Sequence, residues 1–316
     1  MKVLVTGMAG LIGSNFAKHL SSKGIPVVGV DNFFPSYPIE IKKRNLEALK
    51  GSSLVEFIEG DINDSRIFGR FDGRGITHIA HLAARTGVRA STQDPEGYLR
   101  TNIIGTLNVL EFARRINAEK VLVASTSSAY SGNPVPFSEK QCTSSPRSIY
   151  AASKIGMESL VYSYHQVHGL PIIITRFFTA YGPGGRPDMA VYRFTDSILG
   201  GRAVEVYGDG KAKRDFTHVS DICEGIFLAL SSGEKFNVFN LGNSEARSVR
   251  ELISLIEKST GRKAKIKFLA GKKEDLDETL ADISKARKIL GYRPKISLEE
   301  GIPLFVEWFK SRKAHG

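Results

Sequence analysis

Short β-branched runs and longer stretches of helical period alternate through the first half of the chain. Lys2–Thr6, Pro26–Val30, Ser53–Ile58, Thr77–Ala84, Lys120–Ala124 and Leu170–Thr175 are short, largely apolar runs. Short runs of this kind fit strands buried on both faces, as in a parallel sheet. Helical patterns lie between them: one runs to Leu20, an amphipathic one spans Tyr98–Arg115, and another begins near Tyr150. The alternation predicts an α/β chain built on a doubly wound parallel sheet. Between Arg176 and Met189 glycines and prolines break the rhythm, and a domain change is placed there. The expected division is 1–175 as the sheet domain, with a returning segment near 215–242, and 176–316 mainly as a smaller domain. A helix over Ile222–Leu230, a strand over Val238–Leu241 and helices over Ala281–Tyr292 and Leu298–Phe309 complete the reading.

Composition narrows the class. With 41% hydrophobic and 24% charged positions among 316 residues, the chain buries a substantial core and is not disordered. The net charge of +11 invites a nucleic-acid reading. However, the bases are scattered among apolar residues without aromatic interleaving, so a solvated surface that favours an anionic small substrate fits better. Only Cys142 and Cys223 occur, without metal-ligand spacing, which implies neither a disulfide framework nor a metal site and suits the cytoplasm. The first strand begins at Lys2, leaving no room for a leader, and no apolar run reaches the ~18 residues of a membrane span.

The first strand ends in Gly7-x-x-Gly10-x-x-Gly13 and leads into a helix. Gly7 allows the tight turn, Gly10 lets a pyrophosphate approach the backbone, and Gly13 lets helix and strand pack closely. Asp31 ends the second strand, where a carboxylate accepts ribose hydroxyls and repels a 2′-phosphate, favouring NAD over NADP. Asp61, ending the third, is placed to accept from the adenine amine. In the polar insertion over Asn32–Gly51, the Lys42-Lys43-Arg44 run is expected on an exposed face. His78 and His81 lie within an apolar strand and are expected to be structural.

Tyr150-x-x-x-Lys154 places a phenol and an ammonium one helical turn apart. A cation there is expected to stabilise the phenolate and lower its pKa, making Tyr150 a general base. A hydroxyl from the end of the fifth strand, Thr126 or a neighbouring serine, completes a relay to a sugar or alcohol.

Taken together, Gly7-x-x-Gly10-x-x-Gly13, Asp31-Asn32, Gly60-Asp61-Ile62, His81-Leu-Ala-Ala84, Tyr150-x-x-x-Lys154, Arg214-Asp-Phe-Thr-His-Val and Ala281-Asp-x-x-Lys-Ala resemble the extended short-chain dehydrogenase/reductase family of nucleotide-sugar enzymes. The resemblance covers essentially the whole chain. It implies a Rossmann-type sheet, a substrate-binding C-terminal part and a homodimer. Within the family the chain looks most like the UDP-glucuronate 4-epimerases, through Gly87-Val-Arg89, Arg176-Phe-Phe-Thr179 and Arg186-Pro-Asp-Met189. Departures are Ala129 and Ser131 around Tyr130, Arg85 after His-Leu-Ala-Ala, and Phe216 in place of a common tyrosine.

What the resemblance implies is specific. Thr126 joins Tyr150 and Lys154 as catalytic. NAD lies against Gly7, Gly10, Leu11, Ile12, Gly13, Asp31, Asn32, Asp61, Ile62, Leu82, Ala83, Ala84, Asn102, Ser125 and Phe177, beside the catalytic pair. Arg214 and Asp275 hold the uridine diphosphate, while Arg89, Thr126, Ser127, Ser128, Tyr150, Thr179 and Arg186 line the sugar end. Alternatives are a UDP-glucuronate decarboxylase, a UDP-glucose 4-epimerase, a less favoured 4,6-dehydratase, and a non-catalytic NAD-sensing or RNA-associated protein on the same fold.

Overall fold

The computed structural model describes residues 1–271 and 276–313. Strands β1 (Val3–Thr6), β2 (Val27–Asp31), β3 (Val55–Glu59), β4 (His78–His81), β5 (Lys120–Thr126) and β6 (Ile172–Phe177) fall in the six apolar runs. They lie in one seven-stranded sheet, paired parallel in the order β3-β2-β1-β4-β5-β6, with the late strand Phe236–Leu241 on the outer edge of β6. Strand order reverses between β1 and β4, and in such sheets ligands sit beyond the carboxyl ends at that switch point. Thr6, Asp31, His81, Thr126 and Phe177 all end strands there.

Helices α1 (Leu11–Ser22), α2 (Ile39–Glu47), α3 (Pro95–Leu99), α4 (Gly105–Arg115) and α5 (Ile149–His168) belong to the first part of the chain, and α6 (Ala190–Leu199), α7 (Val219–Leu230), α8 (Val249–Thr260), α9 (Ser284–Leu290) and α10 (Leu298–Lys313) to the second. One face of the sheet packs Phe16, Leu20, Ile222 and Ile226, from α1 and α7. The other packs Val109, Phe112, Met157 and Val161, from α4 and α5. Burial on both sides is why the inner strands are largely apolar, while the edge strand β3, with Glu56 and Glu59, is partly exposed.

A third core, including Tyr181, Phe194, Leu252, Ile256, Phe305 and Phe309, lies under α6, α8 and α10. The later strands are β7 (Thr179–Tyr181), β8 (Ala203–Tyr207), β9 (Lys213–His218), β10 (Phe236–Leu241), β11 (Ala246–Ser248) and β12 (Lys265–Leu269). Of these, β10 joins the large sheet, β11-β9-β7 form a small one, and β12 pairs with β8. No helix among the described residues is long and apolar enough to cross a membrane.

Three features differ from the sequence reading. The fourth strand stops at His81, because Leu82–Ala84 leave the sheet to cross the glycine turn, where the Ala83 amide donates to Thr6 Oγ1 at 3.1 Å. The helix expected from Tyr98 starts at Pro95, capped by Asp94, and passes through a π-helical turn over Arg100–Ile104 before α4. Finally, Lys42 is not on an exposed face. With Ile41 and Asn45 it is buried, its Nζ 3.7 Å from Asp31 Oδ1, so the ion pair draws it inward.

Candidate active site

The dinucleotide end follows from backbone sterics. Gly7 has φ +72°, and a Cβ there would lie 2.8 Å from the Ala83 backbone. A Cβ on Gly13 would lie 2.2 Å from Gly7 O, so only glycine lets α1 seat on the turn. Gly10 is the N-cap of α1 and supplies no side-chain cap. The first-turn amides thus keep the anion-binding character of a helix start. Asp31 accepts from the Ala9 amide at 3.1 Å and the Phe33 amide at 2.8 Å, one bond per carboxylate oxygen. Each oxygen retains capacity for a ribose hydroxyl. Asn32 Nδ2 donates to Asp61 Oδ2 at 3.0 Å, joining the ends of β2 and β3. This donor and acceptor set fits a dinucleotide.

Leu82, Ala83 and Ala84 lie in the loop after β4, Leu11 and Ile12 open α1, Ile62 is buried against Gly105, and Phe177 closes β6. Asn102 is clamped at the π-helical turn: its Oδ1 accepts from the Arg85 amide at 2.8 Å, while its Nδ2 donates to Arg85 O at 3.0 Å and Ser153 Oγ at 2.9 Å. It fixes the 82–86 loop against α5. The Ser125 hydroxyl donates to Glu158 Oε1, which Arg176 also grips through Nε at 2.9 Å. His78 and His81 are structural. His81 bridges Thr6 Oγ1 and Thr106 Oγ1 through its two ring nitrogens, and burial pushes its pKa down to about 3, so it stays neutral.

Ser148 caps α5, accepting from the Ala151 amide at 3.1 Å, and so fixes Tyr150 in the first turn. Burial pushes the Tyr150 phenol up, while the Thr126 hydroxyl and the Arg186 guanidinium pull it back. The expected direction is therefore reversed in this structure, and the cation acting on the phenol is Arg186 rather than Lys154. Lys154 Nζ donates to Ala124 O at 2.8 Å on β5. Burial lowers its pKa to about 8 against the opposing pull of Glu158. Below that value the pair is a neutral phenol and an ammonium.

The third wall comes from the 182–188 loop. Arg186 donates through Nε to Asp188 Oδ1 at 3.0 Å, through Nη2 to Asp188 Oδ2 at 2.5 Å, and through Nη1 to Thr86 Oγ1. Burial works against its charge, but Asp188 holds it above the ordinary arginine value. Tyr98 meets the Tyr150 ring edge-on at 6.3 Å and donates from its hydroxyl to Thr86 O at 2.8 Å. Thr126, Tyr150 and Arg186 are thus gathered at one place. Ser127 and Ser128 follow in a 3₁₀ turn, with the Ser128 amide donating to Thr126 Oγ1 at 3.1 Å. Thr179 opens β7 opposite Phe216.

Arg89 and Arg214 come from other elements. The Arg89 guanidinium lies 4.3 Å from the Tyr207 ring centroid at the end of β8. Arg214 is on β9, opposite Arg247 of β11. Asp275 lies outside the described residues. The sequence reading missed Tyr37, Thr86, Tyr98, Glu158 and Asp188. Only Asp188 carried a signal, its place two residues after Arg186.

A glycine turn at the switch point of a parallel sheet, with a Tyr-x-x-x-Lys helix packed beside it, defines the extended short-chain dehydrogenase/reductase class. The GDP-mannose 4,6 dehydratase family matches residues 4–304. The chain belongs to this group of NAD-dependent epimerases and dehydratases. It is 41% identical to a UDP-glucuronate 4-epimerase of Thermodesulfobacterium geofontis, over 97% of this chain and 95% of that one. It also superposes on the UDP-glucuronic acid 4-epimerase of Bacillus cereus, solved with UDP-glucuronic acid and NAD. There the TM-score is 0.93 with 36% identity, covering 99% of this chain and 100% of that one. A Thermotoga maritima UDP-glucose 4-epimerase solved with UDP-glucose gives 0.91 and 32%, covering 99% and 100%.

Proposed function

We propose that this protein is an NAD-dependent 4-epimerase that interconverts UDP-glucuronate and UDP-galacturonate through a 4-keto sugar. The observation that carries the choice of a uronic acid is the half-buried Arg186 guanidinium beside Tyr150. Among the described residues, its bonds to Asp188 and Thr86 use three of its N–H groups. A guanidinium has five, so two remain for a carboxylate.

Oxidised NAD, when bound, supplies the hydride acceptor for the first half-reaction and, once reduced, the donor for the second. Gly7, Gly10, Gly13 and the helix start hold its pyrophosphate, and Asp31 holds the adenosine ribose. Tyr150 as phenolate takes the 4-hydroxyl proton, with Thr126 relaying it and the Arg186 charge favouring the ionised form, while Lys154, held at Ala124 O, carries its ammonium beside the cofactor. Arg214 and Asp275 anchor the diphosphate while the sugar ring turns over in the pocket. Tyr150 then returns its proton to the 4-oxygen and the stereocentre is inverted. Arg89, Ser127, Ser128 and Thr179 line the sugar, with 1–175 and 215–242 forming the cofactor half and the rest of 176–316 mainly the substrate half.

The intermediate is a β-keto acid, which loses carbon dioxide if its carboxylate stands perpendicular to the carbonyl plane. A planar guanidinium pairing with that carboxylate resists the rotation. The reading is tested by incubating purified protein, without added cofactor, with UDP-glucuronate and UDP-glucose separately. UDP-galacturonate should form from the first, and Arg186→Ala should bind UDP-glucuronate about tenfold more weakly, as for a lost charged hydrogen bond, and release more pentose product. Turnover of UDP-glucose alone would overturn the substrate, and unchanged affinity and product ratio would remove Arg186 from the site.

The protein acts in the cytoplasm as a homodimer. Exposed Leu99 and Ile104 on the 95–115 helix and Tyr162 on α5 supply apolar surface for a shared helical interface, and sedimentation equilibrium at the monomer mass would refute it.

A further inference from the structure

The insertion between β2 and β3 is built as a tie rather than as a surface. Asn45, buried on α2, donates from Nδ2 to Ala9 O in the glycine turn at 3.1 Å and to Gly184 O at 3.4 Å. From α1, Asn15 Nδ2 donates to Leu11 O and to Pro183 O, both at 2.8 Å. Gly184 has φ +84°, and a Cβ there would lie 3.1 Å from Asn45 Oδ1, so the loop is seated directly on that amide. Lys42 pairs with Asp31, and its Nζ lies 5.3 Å from the Tyr37 ring centroid. The Arg186 guanidinium lies 5.9 Å from the same centroid. Two routes thus run from the cofactor turn to the arginine at the sugar end, one through backbone carbonyls and one through Lys42 and Tyr37.

We propose that Asn45, aided by Asn15, is a positioning residue that fixes Arg186 for the substrate carboxylate by fastening the 182–188 loop to the phosphate-binding turn. The inference rests on Arg186 being the carboxylate partner. An arginine that must hold a torsion gains from a loop that cannot drift, since a shift of about 1 Å already weakens oriented contacts. Its anchor is the segment that holds the cofactor, so Arg186 keeps one distance from the reacting end.

The test is calorimetric titration of NAD-loaded protein with UDP-glucuronate and with UDP-glucose, which lacks the carboxylate. Asn45→Leu keeps the bulk but removes both donors. It is expected to raise the Kd for UDP-glucuronate about five- to tenfold, the size of a lost charge-assisted bond, and to leave UDP-glucose within about twofold. The double variant Asn45→Leu/Arg186→Ala should bind UDP-glucuronate no more weakly than Arg186→Ala alone, because both changes remove one interaction. Equal losses for the two sugars, or additive losses in the double variant, would overturn the proposal. If Arg186→Ala weakens UDP-glucuronate and Asn45→Leu does not, the tie alone fails. If Arg186→Ala has no effect, the carboxylate reading fails and takes the tie with it. Should Asn45→Leu not fold, Asn15→Leu cuts the neighbouring bond and is judged by the same outcomes.

Discussion

Tyr150→Phe retains bound NAD and loses about 10²–10⁴-fold in turnover, the range that a positioned general base contributes. The hydroxyl is the only atom group removed. The ring stays edge-on to Tyr98, and Ser148 still caps α5, so fold and cofactor binding are spared. A rate within a few-fold of the parent protein, measured on UDP-glucuronate with product analysis, would strip Tyr150 of its role. Burial raises this phenol, so the ionised form needs every favourable neighbour. Thr126→Val removes one of them and should produce a smaller loss in the same direction.

Glu158→Ala is expected to destabilise the fold by about 3–5 kcal/mol, the cost of leaving a buried charge without its partner. Arg176 and Glu158 face each other at 2.5 Å in the interior behind β5, and among the described residues Arg176 Nη1 has no hydrogen-bond partner. Tyr130 covers the guanidinium, its ring centroid 4.7 Å away, leaving water no easy replacement for the lost carboxylate. Denaturant unfolding reads the loss, and a change under 1 kcal/mol would contradict it. Catalysis should register the same change. Lys154 titrates near 8, held up by Glu158 against burial, and is charged below that value and neutral above it. Removing Glu158 takes away the upward pull, so the ammonium is lost at lower pH. The alkaline fall of kcat/KM should then move toward neutrality, more visibly in Glu158→Gln, which keeps the shape. An alkaline limb that stays in place would mean Lys154 is not the group lost.

How much was legible depended on whether a residue's task leaves a mark on hydropathy or spacing. Five of the six strands were readable because burial on both faces makes them largely apolar, and β3, with Glu56 and Glu59 exposed, by its alternation. Gly7 and Gly13 were readable because no other residue fits a positive φ or a backbone contact of that closeness. Tyr150 and Lys154 were recognisable by helical spacing, but their electrostatics were not, since the lysine's direction toward Ala124 O depends on where β5 passes. Lys42 and Asn45 were illegible for a related reason. A polar side chain buried by an ion pair or by carbonyls contributed by distant loops looks, in sequence, like a solvated face. Glu158 and Arg176 are 18 residues apart, and only the packing of α5 on the sheet brings them together. The fourth strand was read too long because Leu82–Ala84 are as apolar as the strand, although they serve the loop over the glycine turn.

The pairing of β10 with β6 has a consequence for biogenesis. As the nascent chain leaves the ribosome, the edge of Ile172–Phe177 is open until Phe236–Leu241 has been translated. At about 5–20 residues per second, that interval lasts on the order of seconds. An unpaired, apolar strand edge is a template for strands of other molecules. Crowded polysomes therefore offer this edge a chance to misassemble, and slowing elongation between β6 and β10 should increase co-translational aggregation.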